Sequence, residues 1–210
     1  MNRSLHSSRE KIEKLDQKRW TRTPGVGSQR CFILGDGMQA SGHPVEIRAA
    51  VVTISDRNAL LAILREIARV HTTHIVCFDA EKMAGLPHAE LALRYAARSF
   101  FSGDPISNSF EMEALLYAAG TRQCAMAATW GIHEGENLLY ICCCPASAGA
   151  WEELARHIHF VDESWDNINS EKTTRLMDLF GITAEEMGAA GADQIGALVR
   201  ERVALLEVGK

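Results

Sequence analysis

The sequence predicts an α+β protein: a small mixed or antiparallel sheet packed with several helices, with the C-terminal part helical. Three observations carry this expectation. A β-branched run at 45–55 and short apolar runs at 75–78 and 138–144 alternate with stretches whose apolar residues recur every three or four positions. Those runs are too few for a barrel, and no internal repeat divides the 210 residues. Beyond Pro145 the helical period dominates.

Taken in order, residues 1–30 hold eight Lys or Arg against three Asp or Glu, a net of +5, so the remaining residues carry −10 and the whole chain −5. This segment is turn-rich after Trp20 and reads as a flexible basic extension, a solvated tail in preference to an RNA-attracting arm. Residues 31–210 then form a single domain. Residues 31–34 suit a short edge strand, and 45–55 suit extended chain, in one piece or bent near Ala49 and Ala50. Asp56 is an N-cap residue for a helix reaching Val70, with Leu60, Leu61, Leu64 and Ile67 at helical spacing. Residues 75–78 make a short strand. Pro87 then precedes a long helix over 89–101.

Residues 103–123 pack a loop, an apolar helix and its exit into one short stretch. Pro105 pushes Asp104 toward extended geometry, and Ser107, Asn108 and Ser109 favour a helix N-cap over a helix interior. A helix is therefore expected from Phe110. Met112, Leu115, Leu116, Ala118 and Ala119 make it too apolar for a solvated rod, and Gly120 offers a left-handed stop. Farther on, 148–157 and 170–180 are expected as helices, the second closed by Gly181, with 157–163 between them an edge strand or a loop. The last helix is expected over 192–208, with a stripe of Ile195, Leu198, Val199, Arg202, Leu205 and Leu206.

No apolar run approaches the ~18 residues that span a bilayer, and no signal-peptide core follows the basic start, so a soluble, cytoplasmic protein without membrane contact is expected. The six cysteines, among them the triplet Cys142, Cys143 and Cys144, show neither CxxC pairs nor the density of a secreted scaffold. Consecutive strand residues face opposite ways, so the triplet cannot ligate one ion. His71 with His74, and His157 with His159, lack an accompanying ligand at a recognised spacing. Gly35-Asp36-Gly37 and Gly181 lack the strand–glycine–helix setting of a nucleotide cradle. With no nucleophile beside a base and no paired carboxylates, the expectation is a protein that is not an enzyme, with no cofactor and no metal. Arg94 and Arg98, a turn beyond Glu90, read as a solvated salt-bridged face.

Lys82, His88, Arg122 and Gln123 stand apart because they fall at helix ends, where free N–H groups suit phosphates. The competing structural reading has His88 capping or packing on its own helix and Arg122 paired with Glu113.

Three motifs, in order and at natural separations, carry a resemblance. The first is Asp79-Ala80-x-Lys82-x-Ala84-Gly85-x-x-His88. The second joins Ile106-Ser107-Asn108 to Glu113-x-Leu115-Leu116-Tyr117-x-x-Gly120-x-Arg122-Gln123 and Gly131-Ile132, and the third is Glu201-Arg202-Val203-Ala204-Leu205-Leu206. From about Val45 to Val208 the chain resembles the kinase-binding regulatory subunit of the KEOPS complex. The resemblance implies a non-catalytic subunit that docks on the RIO-type KEOPS protein kinase and through it meets the other subunits. It further implies recruitment of tRNA by its 3′ CCA end for threonylcarbamoyladenosine formation. An acidic chain can hold such an end by a few cations and stacked bases. Carried onto this sequence, the RNA-binding residues are Lys82, His88, Ile106, Ser107, Asn108, Arg122 and Gln123. The kinase-facing residues are Val199, Val203, Leu205 and Leu206. The alternative expectation is a pure protein-interaction module that regulates the kinase without touching RNA.

Overall fold

The computed structural model describes residues 30–34, 43–102, 104–191 and 193–208. The basic extension expected over 1–30 lies outside these residues, save Arg30. Five strands form one sheet: β1 (Arg30–Leu34), β2 (His43–Ile54), β3 (His74–Asp79), β4 (Gly135–Cys144) and β5 (His159–Val161). Around it lie helices α1 (Arg57–Val70), α2 (Leu86–Ser102), α3 (Phe110–Ala119), α4 (Cys124–Ala127), α5 (Ala148–Leu154), α6 (Ser170–Phe180), α7 (Ala184–Ala190) and α8 (Ile195–Val208). The fold is α+β, and every strand pairing is antiparallel.

The sheet order is β1-β2-β4-β3, with β5 also paired to β2. β2 is one twelve-residue strand, not two. It runs unbroken because both of its edges are used: β4 pairs along 46–54, while β1 and β5 share the other edge at 43–47 and 49–51. The 157–163 stretch thus contributes a short edge strand.

Alternation along the strands divides the core in two. Val45, Ile47, Val76, Phe78, Cys142 and Cys144 face the layer containing α2, α3, α6 and α8. Ile75, Cys77, Leu139, Ile141 and Cys143 face α1 and α5. The cysteine triplet splits between the two cores, as strand geometry requires, and burial pushes the Cys144 thiol up to about 12. Cys77, Cys124, Cys142, Cys143 and Cys144 are free.

Local signals set the helix ends. The Asp56 carboxylate accepts from the amides of Asn58 and Ala59, and the Ser109 hydroxyl from that of Met112. Gly120 and Gly181 both take φ of 60°, the left-handed geometry that ends α3 and α6. Three boundaries differ from expectation. α2 starts at Leu86, because the Asp166 carboxylate accepts the Leu86 amide at 2.6 Å. α5 ends at Leu154. α7 was not expected, and the last helix begins at Ile195 rather than at 192. Among the described residues, no helix is long and apolar enough to cross a membrane.

Candidate functional site

The motif residues gather around α3. At its N-terminal end, Glu113 is fully buried and gathers the preceding loop. Its carboxylate accepts the amides of Ile106 (3.0 and 3.1 Å) and Ser107 (2.8 Å). It also accepts the hydroxyls of Ser107 (3.1 Å) and Ser99 (2.7 Å). The Ile-Ser-Asn loop is therefore folded onto an acid seven positions ahead. Ser107 is buried by this, Ile106 is half-buried against the core, and Asn108 is exposed.

At the C-terminal end, Gly120 turns the chain into an exposed stretch holding Arg122, Gln123 and Cys124. Here the first motif makes contact. The Lys82 ammonium donates to the Thr129 carbonyl and pairs with Asp79 at 3.0 Å. His88 is fully buried, its Nδ1 accepting the Ala84 amide at 3.1 Å and its Nε2 donating to the Ala118 carbonyl at 3.0 Å. The rings of Trp130 and Phe180 close over it. The third motif arrives at the same place, since the Arg202 carbonyl comes within 3.8 Å of where a Cβ on Gly120 would lie.

Several expectations need correction. His88 has both nitrogens committed inside the protein and no exposed surface, so it is a packing residue and not an RNA contact. Ser107 likewise spends its amide and hydroxyl on Glu113 and the Ser109 carbonyl. Arg122 does not pair with Glu113, whose oxygens are taken from the other side. Lys82, Arg122 and Gln123 share one end of α3 while 106–108 sit at the other. Ten helical residues at 1.5 Å each put roughly 15 Å between them, so they do not form one pocket.

The kinase-facing set also divides. Val199 and Val203 have no exposed surface, because α8 turns Ile195, Val199 and Val203, four apart, into the core. They close the fold and cannot meet a partner. Leu205 is 53% exposed and Leu206 is half-buried, so these two remain on the outside. Arg98, expected on a face with Glu90 and Arg94, reaches across to another helix. It pairs with Glu207 at 2.8 Å, and Glu207 also accepts the Tyr117 hydroxyl, which ties α8 to α2 and α3.

Sequence reasoning missed the residues around His74. His71 and His74 are not joint ligands: His71 pairs with Glu153 and His74 with Glu111, each at 2.8 Å. No group of three or more His, Cys, Asp or Glu placed to hold a metal occurs among the described residues. His74 instead heads a wall of rings with Phe100, Phe101 and Phe110. The adjacent Phe100 and Phe101 at the end of a helix, one of them 51% exposed, were the available signal.

A scan against protein-family models finds no match, and a search of the curated proteins finds no similar sequence.

Proposed function

We propose that this protein is a non-catalytic subunit of the KEOPS tRNA-modification complex that binds the RIO-type kinase and recruits tRNA by its 3′ end. The observation that carries this reading is the meeting of all three resembling motifs at one end of α3. His88 bonds to Ala118, Lys82 to Thr129, and the Arg202 carbonyl lies against Gly120. Segments spread over 120 positions serve one locus, as a shared functional surface requires. On this reading Arg122 and Gln123 meet the terminal phosphates, Lys82 adds positive potential behind them, and Leu205 and Leu206 face the kinase.

A second reading, the pure interaction module, draws support from the internal commitment of Lys82 and His88. Of the two cations assigned to RNA, Lys82 and Arg122, the second is the exposed one. Binding of full-length and CCA-less tRNA at physiological salt separates the two. Arg122→Glu should weaken binding by about 1–2 kcal/mol and lower the salt slope by roughly one unit. The exposed, distant Arg156→Glu should do neither. Loss of the CCA should not add to the Arg122→Glu loss, because both delete one contact. Equal binding of both tRNAs would leave only the interaction module, which kinase capture would then have to support.

A further inference from the structure

An apolar groove of about 840 Å³ runs between α1 and α3, and its floor is the free edge of the sheet. Among the described residues β3 pairs only with β4. The Ala80 amide donates to the Leu138 carbonyl at 2.8 Å, which fixes the phase of that ladder. Val76 and Phe78 therefore exchange hydrogen bonds with β4, while the main-chain N–H and C=O groups of Ile75 and Cys77 point toward the groove. The open edge ends where Gly131 stands beside the Cys77 carbonyl. Leu61 and Leu64 of α1 form one wall, and Phe101, Phe110 and Met112 form the other.

A row of main-chain groups with no partner among the described residues, at the bottom of an apolar slot, fits one chemistry. An extended peptide supplies matching N–H and C=O groups, and its side chains meet apolar walls on both faces of the sheet. Single-stranded RNA has no such ladder to offer. The rim narrows the choice further. Arg57, Arg65 and Arg69 follow one another along α1, at 1.5 Å per residue roughly 12 and 6 Å apart. Arg69 is held by Glu66, but Arg57 and Arg65 have no ion pair among the described residues. Across the groove Glu111 is taken by His74. On a body carrying −10, this row of cations selects an anionic occupant and disfavours the chain's own +5 extension.

We propose that this groove binds an extended segment of a partner protein, apolar with interspersed carboxylates, as an added strand on β3. The proposal does not use Arg122, but Asn108 of the 106–108 loop lines the groove, so a peptide here would meet one residue of the tRNA reading.

The test is selection of a random decapeptide library, displayed on phage, against the immobilised full chain. Enriched sequences should combine aliphatic residues with Asp or Glu and lack central Pro. A synthetic copy of the dominant peptide should bind at least tenfold more weakly to Arg65→Glu, and equally well to Arg156→Glu. N-methylation of alternate central amides should also cost at least tenfold, because it removes ladder donors. Both arginines are exposed, so neither substitution threatens folding, which circular dichroism verifies. Failure to enrich any Arg65-dependent peptide, or indifference to N-methylation, overturns the proposal. So does an oligoribonucleotide ending in CCA that binds the groove with Arg65 dependence where no peptide does, which would make it a nucleic-acid site.

Discussion

Lowering the pH from 7 to 5 is expected to cost the fold about 2 kcal/mol through His88 alone. Its Nδ1 already accepts the Ala84 amide, so an added proton would face that N–H directly. Burial pushes the pKa down to about 3, with Arg200 and Lys172 adding to the effect and the Ala118 hydrogen bond opposing it. In the unfolded chain the imidazole returns to about 6.5. Because the folded value is the lower one, the unfolded state takes up the proton first. Stability is therefore complete above pH 6.5 and declines as the pH falls toward 3, by about 1.4 kcal/mol per unit. Urea unfolding of the native protein and of His88→Gln at pH 7 and pH 5 measures this. The substitution should cost about 2–4 kcal/mol at pH 7, since two buried main-chain groups lose good partners. That difference should shrink by about 2 kcal/mol at pH 5, because glutamine does not titrate. Equal losses of stability in the two proteins on acidification would refute the argument.

Val203→Glu is expected to unfold the domain, with a loss above about 4 kcal/mol, because it forces a charge into a closed apolar site. Leu205→Glu on the exposed side of the same helix should stay within about 0.5 kcal/mol of the parent. Thermal melts decide, and a Val203→Glu protein that melts normally would put that residue back on the surface. Glu113→Ala should cost about 3 kcal/mol and speed amide exchange at Ile106 and Ser107, whose N–H groups lose their acceptor. Unchanged protection there would show that the loop does not depend on the acid.

The elements legible in the sequence were those set by neighbouring residues. Asp56, Ser109, Gly120 and Gly181 each act on the turn they sit in, and all four mark the boundaries expected of them. What stayed hidden was set at a distance. The start of α2 depends on Asp166, 80 positions away, and the role of His88 depends on a carbonyl 30 positions away. On α8 the apolar residues were visible but the phase was not. Ile195, Val199 and Val203 turn inward, leaving Leu205 outside, and only the packed neighbours choose between such stripes. α7 had its Thr183–Glu186 capping box in plain view, yet Gly188 and three alanines give no apolar period to follow it. The groove required knowing that β3 lies at the sheet edge, a property of strand order that no local pattern records.

The loop held by Glu113 has the makings of an anion nest: two successive amides and two hydroxyls converging just before a helix. The nest is already filled, by a carboxylate from the protein itself. A phosphate arriving at this loop would find its inner donors spent and a negative charge behind them. Outward, the segment presents the aliphatic side of Ile106 and the amide of Asn108, which offer contact without attracting charge. The built-in anion makes the segment a template of fixed shape, one that can select by fit and not by charge.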